Sequence, residues 1–126
     1  MKRVKALLIA FGLGLGLLSA AGAKAHAEDY GVVTMINPTR GTIYYQFQWG
    51  NGGWVRYRLA PNSYRNHYHD LDAWNRAPTP YVRFDNGVGN VKNYRLDFFA
   101  ANRVNYYSGK KYDFAWRGPY VDLYSK

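Results

Sequence analysis

From Thr42 to Leu59 (TIYYQFQWGNGGWVRYRL) apolar and polar side chains change places residue by residue, and a glycine-rich break divides the run in two. Period two is the period of a strand, because successive side chains point to opposite faces of the sheet. The first half puts Ile43, Tyr45, Phe47 and Trp49 on one face and Tyr44, Gln46 and Gln48 on the other. The second half puts Val55, Tyr57 and Leu59 on one face and Trp54, Arg56 and Arg58 on the other. Asn51-Gly52 is a strong signal for a two-residue hairpin turn. That register, however, sets Phe47 against Arg56 and Tyr45 against Arg58, and both faces come out mixed. A three-residue loop, Gly50 to Gly52, or a five-residue loop, Trp49 to Gly53, pairs Phe47 with Val55, Tyr45 with Tyr57 and Ile43 with Leu59. A slip of one residue would send every core side chain to solvent, so the cleaner register is the expected one. It predicts Ile43, Tyr45, Phe47, Val55, Tyr57 and Leu59 as core. Tyr44, Gln46, Gln48, Trp54, Arg56 and Arg58 form the outer face.

The same pattern extends along the chain. Tyr30 to Ile36 reads as a strand, and Asn37-Pro38-Thr39-Arg40-Gly41 as a turn, since Asn, Pro and Gly each carry turn chemistry. Ser63 to His69 reads as a further strand, with Tyr64 and Tyr68 on one face and Arg65, His67 and His69 on the other, which is taken as the outward one. Asp70 to Pro80 has no period and contains two prolines; it is a loop with room for one helical turn near Leu71 to Asn75. Tyr81 to Asp85 and Val91 to Ala101 form a second hairpin around Asn86 to Asn90, with Phe84 opposite Tyr94 and Val82 opposite Leu96. Arg83 then faces Arg95; since like charges opposite one another are unfavourable, Asp85 and Asp97 are placed to neutralise the pair, with an anion between the two arginines as the alternative. Arg103 to Tyr107 is either a short strand or an extended loop. Tyr112 to Trp116 and Tyr120 to Tyr124 form a last hairpin with a two-residue turn at Arg117-Gly118, which sets Phe114 opposite Val121 and Tyr112 opposite Leu123. Seven or eight short strands separated by turn signals predict an all-β, antiparallel β-sandwich, with a β-barrel as the alternative.

The first 27 residues stand apart from this pattern. Lys2, Arg3 and Lys5 precede an apolar run from Ala6 to Leu18, and Ala25-His26-Ala27 is a small-x-small site. These are the three parts of a cleaved secretory signal peptide. They predict a mature domain of residues 28–126, exported to the periplasm or the extracellular space, with no membrane span. There is no cysteine, so no disulfide supports the fold. Twenty-two aromatic residues after residue 27 supply the core instead.

Charge narrows the partner class. Thirteen of the seventeen basic residues and all eight acidic ones lie after residue 27, leaving a net charge of +5. Nine of the thirteen are arginine, whose planar fork suits carboxylate, sulfate and phosphate. Outside the cytoplasm this balance points to glycans and anionic surface polymers, and no nucleic-acid partner is expected.

Catalytic patterns are weak. Ser63, Ser108 and Ser125 are the only serines after residue 27, and none sits in a Gly-x-Ser-x-Gly context. Glu28 is the only glutamate, at the expected mature terminus. The glycines at 87 and 89 precede a strand, so they do not read as a phosphate loop. The expectation is a protein that is not an enzyme and needs no cofactor. His67-x-His69 is the one candidate metal pair, with Asp70 and Asp72 as candidate oxygen ligands. The expected function is a non-catalytic, carbohydrate-binding type of module for a glycan or other anionic surface polymer. Tyr44, Gln46, Trp54, Arg56, Arg58 and Trp74 are the expected ligand-binding residues. Two further readings are a structural or protein-interaction module of the cell envelope and a metal-binding protein using His67 and His69.

Overall fold

Nine strands carry the alternation into three dimensions. A computed structural model describes residues 28–126, so the expected signal peptide at 1–27 lies outside the described residues. The strands are β1 (Tyr30–Asn37), β2 (Ile43–Trp49), β3 (Val55–Leu59), β4 (Ser63–Asp70), β5 (Pro80–Asp85), β6 (Val91–Arg95), β7 (Phe99–Ala101), β8 (Lys110–Arg117) and β9 (Tyr120–Ser125). No helix occurs among the described residues. One sheet has the order β4-β1-β8-β9, with β7 also paired to β1; the other has the order β3-β2-β5-β6. The sheets do not close into a barrel, and the architecture is that of a small β-sandwich.

The core lies between the inner faces of the two sheets. Tyr45, Phe47, Val82 and Phe84 face Met35 and Phe114 across it, and all are buried. Phe114 packs edge-on to Phe84 with ring centroids 5.2 Å apart, an arrangement that aromatic quadrupoles favour. Strand β1 is buried on both faces. Its inner side chains, Val33 and Met35, belong to the core. Its outer side chains, Val32 and Thr34, are covered by the end of the 102–109 segment, where a Cβ on Gly109 would lie 2.2 Å from Thr34 Oγ1. Only glycine allows that approach.

The β2–β3 hairpin has the expected register, with Phe47 opposite Val55, Tyr45 opposite Tyr57 and Ile43 opposite Leu59. Ile43, Tyr45, Phe47 and Leu59 are buried, and Tyr57 is half-buried. Val55 is a correction: on an edge strand next to the loop it has no cover, and it is 50% exposed.

The other two hairpins are paired two residues away from expectation. Val82 lies opposite Tyr94, Phe84 opposite Lys92, and Arg83 opposite Asn93, so Arg83 does not face Arg95. The cause is Asn86. Its buried side-chain oxygen accepts hydrogen bonds from the backbone N–H groups of Val88 and Asn90, and its own N–H donates to the Asn90 carbonyl. This tightens Asn86 to Asn90 into a closed five-residue loop. In the last hairpin Arg117 pairs with Tyr120, which moves Phe114 opposite Leu123 and leaves Gly118-Pro119 as the turn. Gly118 has φ 62°, as the first central residue of a primed turn requires, and Pro119 needs no ladder N–H there.

The expected long strand from Val91 to Ala101 is two strands. It breaks after Arg95, and Phe99–Ala101 crosses to the other sheet to pair with the start of β1. Arg103 to Tyr107 is loop.

Candidate functional site

The outer face of the β3-β2-β5-β6 sheet is a grid ruled by the register. Gln46 lies opposite Arg56 on one side and opposite Arg83 on the other, and Arg83 lies opposite Asn93. One pair along, Tyr44 lies opposite Arg58, and Asp85 opposite Val91. In the other direction Gln48 lies opposite Tyr81, and Tyr81 opposite Arg95. This surface holds an open groove of about 500 Å³, lined on its outer side by Tyr44, Gln46, Arg56, Arg83, Val91 and Asn93, with Asp85 at one end. That volume falls within the range of small-molecule sites.

Arg83 is the most constrained cation in the groove. Its Nε donates to Gln46 Oε1, and its guanidinium carbon lies 4.2 Å from the centroid of the Trp54 ring. Stacking of this kind contributes about 0.5–1 kcal/mol at a partly exposed position. With Nε engaged and one side against the indole, the two Nη nitrogens are presented edge-on. None of Arg56, Arg58, Arg83 and Arg95 is in an ion pair among the described residues. The expected neutralisation of Arg83 and Arg95 by Asp85 and Asp97 is thus corrected. The Asp85 carboxylate accepts a hydrogen bond from the Gly87 N–H in its own loop, and Asp97 lies beyond the end of β6.

The expected ligand-binding residues divide into three groups. Tyr44, Gln46 and Arg56 line the groove, and Tyr44 is 67% exposed. Arg58 shares their face as the neighbour of Tyr44, while Trp54 stands at the margin with one ring face against Arg83. Trp74 does not line the groove. It is exposed on the β4–β5 loop, which Asp72 folds on itself by accepting from the N–H groups of Trp74 and Arg76 and from Arg76 Nε. These bonds hold the Asp72 carboxyl below the usual carboxylate range.

Arg83 and Asn93 were not among the expected ligand-binding residues. The parity of Tyr81 to Asp85 puts Arg83 on an outer face, but the pairing of β5 with β2 joins residues more than thirty positions apart, and no local pattern announces it.

The histidines stand on β4, in the other sheet, and face the inner side of this one. His67 is a correction: it points inward, is 5% exposed, and stacks on Phe47 with ring centroids 4.0 Å apart. Its Nε2 is 2.7 Å from the Tyr45 hydroxyl. Burial, aided by the Arg65 charge, pushes its pKa down to about 3. Tyr64 and Tyr68 are exposed instead, as are Arg65 and Asp70 on the same strand. His69 is half-buried, with Nδ1 2.8 Å from the Asp70 carbonyl oxygen. Among the described residues no group of three or more His, Cys, Asp or Glu could hold a metal ion.

The groove offers arginine charge that persists at any physiological pH, side-chain amides that hydrogen-bond, and an exposed tyrosine ring that can stack. Comparison with protein-family models, with curated proteins and with solved structures found no match, so the functional reading rests on this geometry alone.

Proposed function

We propose that the protein is a non-catalytic binding domain for a glycan or other anionic surface polymer, acting outside the cytoplasm after export. Its binding surface is the outer face of the β3-β2-β5-β6 sheet. The observation that carries this reading is the set of four arginines on that face, none engaged by a carboxylate among the described residues, beside the open ring of Tyr44. Arginines kept merely for solubility would gain from cross-strand acidic neighbours. Here the neighbours are Gln46, Tyr44, Asn93 and Tyr81.

Affinity electrophoresis through gels containing acidic and neutral polysaccharides tests the proposal. The wild-type protein is expected to be retarded by at least one acidic polymer. The double variant Arg56→Ala/Arg58→Ala should lose most of that retardation while keeping its thermal transition, since both side chains are exposed. If no polysaccharide retards the wild-type chain, or if the double variant runs like it, the proposal fails.

A further inference from the structure

The groove contains more than loose positive charge. Arg56 and Arg83 flank Gln46 from opposite sides, one strand away each. Their Cα atoms are therefore about 10 Å apart, at a strand spacing of about 4.8 Å. Side chains of arginine length rising from those positions can converge on one group above Gln46. Arg83 is held for this by the bond from Nε to Gln46 and by the Trp54 ring, so its free edge is the Nη pair. Two parallel N–H groups match the two oxygens of a carboxylate. Tyr44, on the same strand two residues from Gln46, presents an exposed ring one row along, and Asp85, level with Tyr44 in the register, keeps an anionic group on the Gln46 side of that ring.

We infer that Arg83 and Arg56 form a preformed clamp for the carboxylate of an acidic sugar, with the sugar ring against Tyr44, and that Trp54 is a positioning residue for Arg83 and not itself a stacking platform for the ligand. The occupant is a uronate-type acidic polysaccharide, chosen on charge complementarity and on the edge-on geometry of Arg83. This rests on the binding reading of the same face and sharpens it. It also changes the expected role of Trp54, because one face of that indole is already covered by a guanidinium.

Polygalacturonate and its methyl ester make the test, because esterification removes the charge and leaves the chain. Binding by titration calorimetry should favour the free acid over the ester by about tenfold or more, the range expected for charge-assisted hydrogen bonds. Arg83→Gln should erase that preference. Arg83→Lys should restore little of it, since a lysine keeps the charge but not the fork. Trp54→Phe, which keeps a ring under the guanidinium, should bind nearly as the wild type does, whereas Trp54→Leu should lose the preference. A residue with a merely structural role would not produce that difference between ring and non-ring variants in the acid-to-ester ratio. Equal binding of acid and ester overturns the clamp while leaving a glycan-binding domain. Binding of dextran sulfate without polygalacturonate overturns the carboxylate assignment alone. Binding of none of the three polymers removes both the clamp and the reading beneath it.

Discussion

At the scale of the residue, His67 joins the core to solution conditions. Its ring lies between Phe47 and the Tyr45 and Tyr57 rings, with Arg65 on the same strand as the nearest cation. The folded state holds it neutral down to about pH 3, whereas an unfolded chain protonates it below about 6.5. The unfolded state therefore takes up more protons as pH falls through that window, and stability declines with it. From this one group the loss is about 2 kcal/mol at pH 5 relative to pH 7, increasing further toward pH 3. Urea unfolding at the two pH values measures it. His67→Gln should be less stable at pH 7, because the stack on Phe47 is lost, yet show a much flatter response between pH 7 and pH 5. A wild-type chain equally stable at both would contradict the account. The groove itself should be indifferent to the same change, since Arg56 and Arg83 stay charged throughout it.

At the scale of the element, the β5–β6 hairpin sets the far wall of the groove through Arg83 and Asn93. The loop that joins its strands depends on one side chain. Replacing Asn86 by Ala removes the acceptor for two backbone N–H groups and should cost about 2 kcal/mol. It should also weaken polymer binding although Asn86 does not line the groove, because Asn93 stands only three residues beyond the loop. Thermal denaturation and affinity electrophoresis of Asn86→Ala check both effects; unchanged stability would show that the loop closes without it. This hairpin also marks the limit of what alternation reveals. Shifting a strand by two residues returns every side chain to the same face, so Phe84 and Tyr94 stay inward whether or not they pair. The pattern determines parity, and Asn86 determines register. The β2–β3 hairpin was legible because the rival there was a one-residue slip, which set both Phe47 and Tyr45 against arginines. The site inherits this difference: Tyr44, Gln46, Arg56 and Arg58 could be read from one hairpin, whereas Arg83 depends on which strand β2 meets across the sheet.

At the scale of the whole molecule, the two sheets are unequal. Strand β1 is covered on both sides, with the 102–109 segment closing over it, while the opposite sheet keeps its arginine face open. The sandwich also depends on a distant pairing. Strand β1 runs parallel to β8, with Val33 beside Lys110 and Ile36 beside Asp113. Phe114, fully buried, arrives with β8. A chain ended at residue 103 retains the whole β3-β2-β5-β6 sheet but neither β8 nor β9, and its core lacks Phe114 and Val121. Such a chain should show no cooperative thermal transition, and circular dichroism during heating checks this; a sharp transition would show that the fold does not need β8 and β9.

The parallel pairing of β1 with β8 also has a meaning in time. A ribosome releases the chain from its N-terminus, so β1 precedes all the other strands and, although β4 and β7 reach it sooner, its β8 neighbour comes almost eighty residues later. At ordinary elongation rates of about 5–20 residues per second, that wait lasts about 4–16 seconds. During it Val33 and Met35 have no finished core to enter. Such a delay suits the export proposed for this protein, because a chain that cannot complete itself early can still be threaded through a narrow pore.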